Sequence, residues 1–285
     1  MSLPYNELPV YFGLANQEVV NTGLNETTGY IPATQVSVNY ATNHSPKRNL
    51  GKTVSSSDQF RFGGALQASI SVESLVIEGM ESGFDFVQTA AQEAYIPIKI
   101  GDNDFKKCYA TEVSVGIQPF GPVMVKAQFI SLDPATGVQI SGDKTPYDNS
   151  TISFDSDKVA YGQDCVVTNA DLAVGQVQSQ IAFSRKYARS PVYTLGSVNP
   201  SSMILDGIEE ELSITSTGLN NLINLSGDKL GGSLSVNINN VGIGITNPLA
   251  NLINFGANSR VLDESYDVKG GEVVKANALI KQIKL

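Results

Sequence analysis

The sequence has one histidine (His44), two cysteines (Cys108 and Cys165) and no tryptophan. This set is too small for a His- or Cys-rich zinc site within one chain. A Ser-His-Asp triad would have only His44 to draw on. Two cysteines do not make a disulfide framework, which excludes a small secreted scaffold, and free thiols are expected. Charge is also sparse, at 16% of residues, against about 25% in ordinary soluble domains. Cations are the scarcer sign, with 19 Lys+Arg against 28 Asp+Glu and a net charge of −9. Tight binding of duplex DNA needs clustered cations, so this balance argues against it. Long apolar runs are missing too. The longest uncharged stretch, 230–259, carries seven Asn, several Gly and Pro248, which a bilayer core does not accept cheaply. No membrane partner is expected. The first residues, Met1 to Pro9, show neither a basic start nor an apolar region, so no secretory signal is expected.

What is present is enough for a core. Hydrophobic residues make up 41% of the 285 positions, which is incompatible with wholesale disorder. The length fits one large domain or two of ordinary size. Asn, Ser, Thr and Gln take the place of charge, and a neutral polar surface suits β-rich folds and packed assemblies.

Two short patterns recur in the same order. Ser45-Pro46-Lys47-Arg48-Asn49-Leu50-Gly51 returns 145 residues later as Ser190-Pro191-Val192-Tyr193-Thr194-Leu195-Gly196. Gly121-Pro122-Val123-Met124-Val125-Lys126-Ala127 returns, one residue shorter, as Gly271-Glu272-Val273-Val274-Lys275-Ala276. Apolar residues alternate with polar ones around both copies: Val36 and Val38, then Ile70 and Val72; Ile181 and Phe183, then Leu212 and Ile214. Period two is the mark of a half-buried strand. Order, spacing and flanks together predict an internal duplication, with units at 1–140 and 141–285 and a turn-rich linker over 132–146.

The expected architecture is mainly β, with one or two short helices per unit. Strands are expected at 35–40, 66–77, 95–100, 112–118 and 124–132. In the second unit they are expected at 151–154, 178–184, 208–215, 233–238 and 276–283. Segment 84–94 reads as a helix. So does 247–255, with Asn247 at the N-cap, Pro248 in the first turn and Gly256 past the end.

Candidate chemistry is thin. His44-Ser45 are neighbours in a turn, and no G-x-S-x-G elbow exists. Gly242-Ile243-Gly244 is a lone G-x-G before a short segment. Asp155-Ser156-Asp157 and Asp102-Asn103-Asp104 lack the rest of a calcium loop. The four Asn-x-Ser/Thr sequons are expected by chance in a chain of this composition. No catalytic residue, metal ligand or cofactor site is expected, and the chain does not read as an enzyme. Two charged groups remain. Lys47 and Arg48 lie in the first repeated loop, with Arg185 and Arg189 just ahead of the second. These four are expected to form an assembly loop that meets an acidic partner surface. Glu209 and Glu211 share one strand face with Ser213 and Thr215, opposite Ile208, Leu212 and Ile214. Glu210 breaks the apolar alternation.

Residues 36–51, Val-Ser-Val-Asn-Tyr-Ala-Thr-Asn-His-Ser-Pro-Lys-Arg-Asn-Leu-Gly, resemble bacteriophage tail tube proteins. In some of these an "SVNY" strand runs into a "TN-x-SPKR-x-LG" turn. The second unit shares the resemblance only through the internal repeat, and Val192-Tyr193 replace Lys47-Arg48 there. The resemblance implies two tandem tube-like β-sandwich or barrel-forming units. It also implies rings, stacked into a tube, whose inner sheets join into a β-barrel that conducts DNA without specific binding. Two units per chain imply trimeric rings of pseudo-sixfold symmetry. Glu209 and Glu211 are then expected to face the lumen. Further copies of the chain and the sheath, baseplate and terminator proteins of the tail are the implied partners. The implied location is the virion, assembled in the bacterial host cytoplasm. A baseplate hub, tube initiator or adaptor ring reuses the same fold. A glycan-binding β domain is the reading from another class, and it lacks the aromatic platform such sites use.

Overall fold

The computed structural model describes residues 10–16, 30–46, 60–77, 94–101, 103–132, 159–169, 178–195, 200–217, 233–238, 252–256, 259–268 and 275–284. They form fourteen strands and one turn of 3-10 helix, Gly162–Asp164. In chain order the strands are β1 (Val10–Phe12), β2 (Tyr30–Ile31), β3 (Ala33–Pro46), β4 (Phe60–Leu75), β5 (Ile96–Ile100), β6 (Asn103–Ile117) and β7 (Met124–Ser131). Then follow β8 (Cys165–Asn169), β9 (Gln178–Val192), β10 (Ser202–Thr217), β11 (Leu234–Ile238), β12 (Asn254–Phe255), β13 (Arg260–Asp267) and β14 (Lys275–Lys284).

The main sheet has one eight-strand run, β3-β4-β7-β6-β9-β10-β14-β13, with every neighbouring pair antiparallel. Its two halves follow one pairing scheme. A long hairpin (β3-β4, β9-β10) takes a third strand on its second arm (β7, β14), which takes a fourth (β6, β13). Registers agree as well. Val38 faces Ile70 as Phe183 faces Leu212. Val72 faces Ala127 as Ile214 faces Ala278. The fourth strands each skip one residue at matching places, Thr111 in β6 and Leu262 in β13. Such bulges bend and twist a strand. By register Ala127 in the first half is the counterpart of Ala278 in the second, two residues beyond Ala276, the match in the repeated motif. An even slip keeps every side chain on its face.

Alternation explains the layers. On β7, Val125, Ala127 and Phe129 point to one side and are buried, while Met124, Lys126, Gln128 and Ile130 point to the other. A small second layer covers the apolar side in each half. In the first half it is β5-β1-β2, which branches from the N-terminal part of β6. In the second half it is a separate sheet, β12-β11-β8. Edge-to-face ring contacts lock both layers: Phe12 on Phe129 at 5.2 Å and Phe183 on Phe255 at 6.1 Å between centroids. Lys107, at φ 40°, sits at the β5–β6 irregularity where β6 bends towards the second layer.

Two expectations are corrected here. Among the described residues the sheet is open, and no strand run closes into a barrel. Closure requires two partners for every strand, and among the described residues β3 pairs only with β4 and β13 only with β14. Short α-helices are absent among the described residues. Segment 247–255 ends in strand β12, whose Phe255 pairs with Leu234, and Leu252 and Ile253 are buried against the core. Cap signals contribute about 1 kcal/mol, and a two-turn segment cannot sustain a helix against sheet pairing and burial. Segments 84–93, 133–158 and 247–251 lie outside the described residues, and with them most of the other helix, most of the linker and the strand expected at 151–154.

Candidate functional site

The second layer covers one face of the eight-strand run, and among the described residues no strand layer covers the other. The open face is built from the odd partners of the alternation, and it is polar. Glu112 on β6, Lys186 on β9 and Glu209 on β10 lie in one cross-strand row. Glu211 lies between Ser184 and Lys281. Lys281 Nζ reaches Glu209 Oε1 at 3.2 Å. Gln128 Nε2 donates to Glu112 Oε2 at 3.3 Å. In the first half Lys126 lies opposite Glu73. Lys126, Lys186 and Lys281 therefore each sit across from a carboxylate, and Ser, Thr and Asn fill much of the remainder. Opposite charges on facing strands contribute a few tenths of a kcal/mol each. Their larger consequence is electrostatic: among the described residues these three lysines each have a carboxylate opposite, while Arg260 faces Lys281 from β13, so cations are interspersed with acids rather than gathered for a phosphate backbone.

Glu209 and Glu211 are both exposed on this face, with Ser213 and Thr215 beside them. Glu210 points the other way, 1% exposed. Its partner is Arg185, 2% exposed, directly opposite on β9. Arg185 Nε donates to Glu210 Oε1 at 2.6 Å, and its NH2 donates to the Leu252 carbonyl at 2.8 Å. The guanidinium also lies 5.8 Å from the Phe183 ring centroid. The residue that spoils the alternation of β10 is thus half of a buried ion pair that also pins the second layer.

This changes the role of the expected basic loop. Arg185 and Arg189 lie within strand β9, not in a loop. The charge of Arg185 is used inside the chain. Arg189 donates from Nε to the Ala110 carbonyl at 2.6 Å and stacks near Tyr109 and Tyr187, at 5.4 and 5.6 Å. It fastens β9 to β6 just beyond their paired stretch. Burial pushes the phenols of Tyr109 and Tyr187 above their ordinary value. Lys47 and Arg48 lie outside the described residues.

The junction between the halves leaves no local signal in the sequence. Glu112 to Ile117 of β6 pair with Lys186 to Ile181 of β9, the last strand of one half with the first of the other. Apolar alternation at Val113, Val115 and Ile117 was visible, but alternation marks a face and not a neighbour. Compared with models of known protein families and with curated proteins, the chain matches none.

Proposed function

We propose that the chain is a structural subunit of a bacteriophage tail, forming rings of three copies that stack into a DNA-conducting tube. The observation that carries this reading is the β6–β9 junction, where two halves of one pairing scheme join head to tail in a continuous sheet. A head-to-tail contact repeated by rotation generates a ring when the rotation closes. Two halves per chain make three copies equivalent to six units, the number implied by the sequence resemblance at 36–51.

The open face supports the conduit role. A wall along which a duplex slides must not hold phosphates. Carboxylates opposite Lys126, Lys186 and Lys281, among many neutral polar residues and with Arg260 as a further cation, accord with that requirement. On this reading Glu209 and Glu211 face the lumen.

Electron microscopy of the purified protein, with its mass measured by light scattering, tests the proposal. Tubes, or rings of three chains with six similar lobes, are expected. A monomer at all concentrations, or a ring of six whole chains with the second halves outside, would overturn it.

A further inference from the structure

We infer that the small sheet β12-β11-β8 braces the two halves of the chain against each other. The first half grips it where β8 begins, the second half grips it where β12 ends, and it opens as one unit with the β6–β9 junction. The brace acts within one chain and is independent of ring formation.

In the first half, backbone pairing joins the second layer to the main sheet. β6 runs for fifteen residues, pairing with β5 in the layer and with β7 and β9 in the sheet. In the second half the counterpart of β6 is two strands. Phe255 of β12 faces Leu234 of β11 as Phe105 of β6 faces Ile98 of β5, and β13 then takes up the pairing with β14. Between the two strands the chain turns, and Ser259 N–H donates to the Gly256 carbonyl at 3.0 Å. Among the described residues no strand of the small sheet pairs with the main sheet. Side chains make the connection instead. Gln282 Oε1, on β14, accepts from Gly256 N–H at 3.1 Å and from Ser259 Oγ at 2.8 Å, so it holds both sides of the break. Arg185 donates to the Leu252 carbonyl, and the Phe183 ring meets the Phe255 ring edge to face.

The other end of the small sheet is held by the first half. Just beyond the Leu75–Met124 pair, three backbone segments close a ring of hydrogen bonds. Val76 N–H donates to the Val123 carbonyl at 3.0 Å, Val123 N–H to the Ala160 carbonyl at 2.8 Å, and Ala160 N–H to the Val76 carbonyl at 2.9 Å. Ala160 is fully buried there. Gly162 N–H then donates to the Gly121 carbonyl at 3.0 Å, with the Gln118 backbone against its Cα. Asp164 Oδ2 accepts from Tyr161 N–H at 3.0 Å, and the next residue, Cys165, opens β8. Gln118 directly follows Ile117, the last β6 residue that pairs with β9. Phe183 and Arg185, which the small sheet contacts, are β9 residues of the same junction, opposite Val115 and Val113. The small sheet is therefore fastened beside β6 at one end and to β9 and β14 at the other. Loosening either end is expected to release the whole unit, because small cooperative units open together.

Hydrogen exchange of the full chain, read by mass spectrometry, tests both ends. Asp164→Ala removes the acceptor at the first grip, and Gln282→Ala removes the acceptor at the second. Asp164→Asn and Gln282→Glu keep an accepting oxygen in place. Each alanine variant is expected to speed exchange in β8, β11, β12 and the paired stretches 112–117 and 181–186 by one common factor. That factor is about two- to tenfold for each hydrogen bond lost. The oxygen-keeping variants are expected to stay near wild type. β1, β5 and the β3–β4 hairpin are expected to be unchanged in all four. Faster exchange confined to the altered end would overturn the brace, and so would a faster small sheet with an unchanged junction. Exchange speeded everywhere alike, or nowhere, would overturn it too. Both ends report on the same unit, so if one alanine variant fails to fold the other decides.

Discussion

Arg185 and Glu210 face each other on neighbouring strands, 2.6 Å apart, and neither is more than 2% exposed. Removing one partner of such a pair leaves a buried charge with nothing to balance it, at a cost of about 3–5 kcal/mol. Glu210→Ala is therefore expected to lower the denaturant midpoint sharply. Arg185→Met with Glu210→Leu is expected to recover most of that loss or exceed wild type, because it removes both desolvation costs together. Chemical denaturation of the single and double variants checks this. Equal losses in all of them would show that the pair is not the cause.

Gly162 opens the 3-10 turn beside the start of β8, and a Cβ there would run into the Gln118 carbonyl oxygen. That neighbour is backbone and cannot swing away. Gly162→Ala is expected to destabilise by about 1–3 kcal/mol, the usual cost of forced overpacking. Gly256→Ala, which meets nothing within 4 Å, serves as the mild comparison. Thermal melts of both variants give the difference.

Burial, reinforced by the charge of Asp164, pushes the Cys165 thiol from 9.0 up to about 12. The unfolded chain therefore releases this proton first as pH rises. The stabilisation is complete below pH 9 and is lost as pH climbs towards 12. Tyr187, raised by burial, acts in the same direction above its ordinary value of 10.0. Denaturant midpoints are expected to fall with pH above 9, less steeply in Cys165→Ala. The thiolate is the reactive form, so Cys165 is also expected to react with thiol reagents far more slowly in folded than in denatured protein.

The open face provides a test of conduit chemistry. Glu209→Lys with Glu211→Lys converts the Glu112–Lys186–Glu209 row into a cationic patch. The variant is expected to retain duplex DNA at low salt and release it as salt rises, whereas wild type does not retain it. Stability is expected to change by less than about 1 kcal/mol, because the Lys281–Glu209 pair it removes is exposed. Electrophoretic retention across a salt series reads the effect. Wild-type retention as strong as the variant's would count against a non-binding wall.

Where a face was at stake, local pattern was sufficient. The alternation in β10 oriented Glu209 and Glu211 outward and Leu212 and Ile214 inward, because strand geometry alone sends successive side chains to opposite sides. No such period marks β13, because its charged residues and the skip at Leu262 erase it. At β12 the local cap signals point to helix because they carry nothing of Leu234, the partner of Phe255 in β11.

By itself the sequence determined composition, faces and the recurrence of one pattern 145 residues apart. These follow from residue type and short-range geometry. Only the tertiary structure decided that Glu210 has Arg185, that β6 has β9, and that, among the described residues, β3 and β13 stand at the edges of the sheet. Each is a question of which distant strand comes alongside, and the hydrogen bonds that answer it run between backbone groups that every sequence shares.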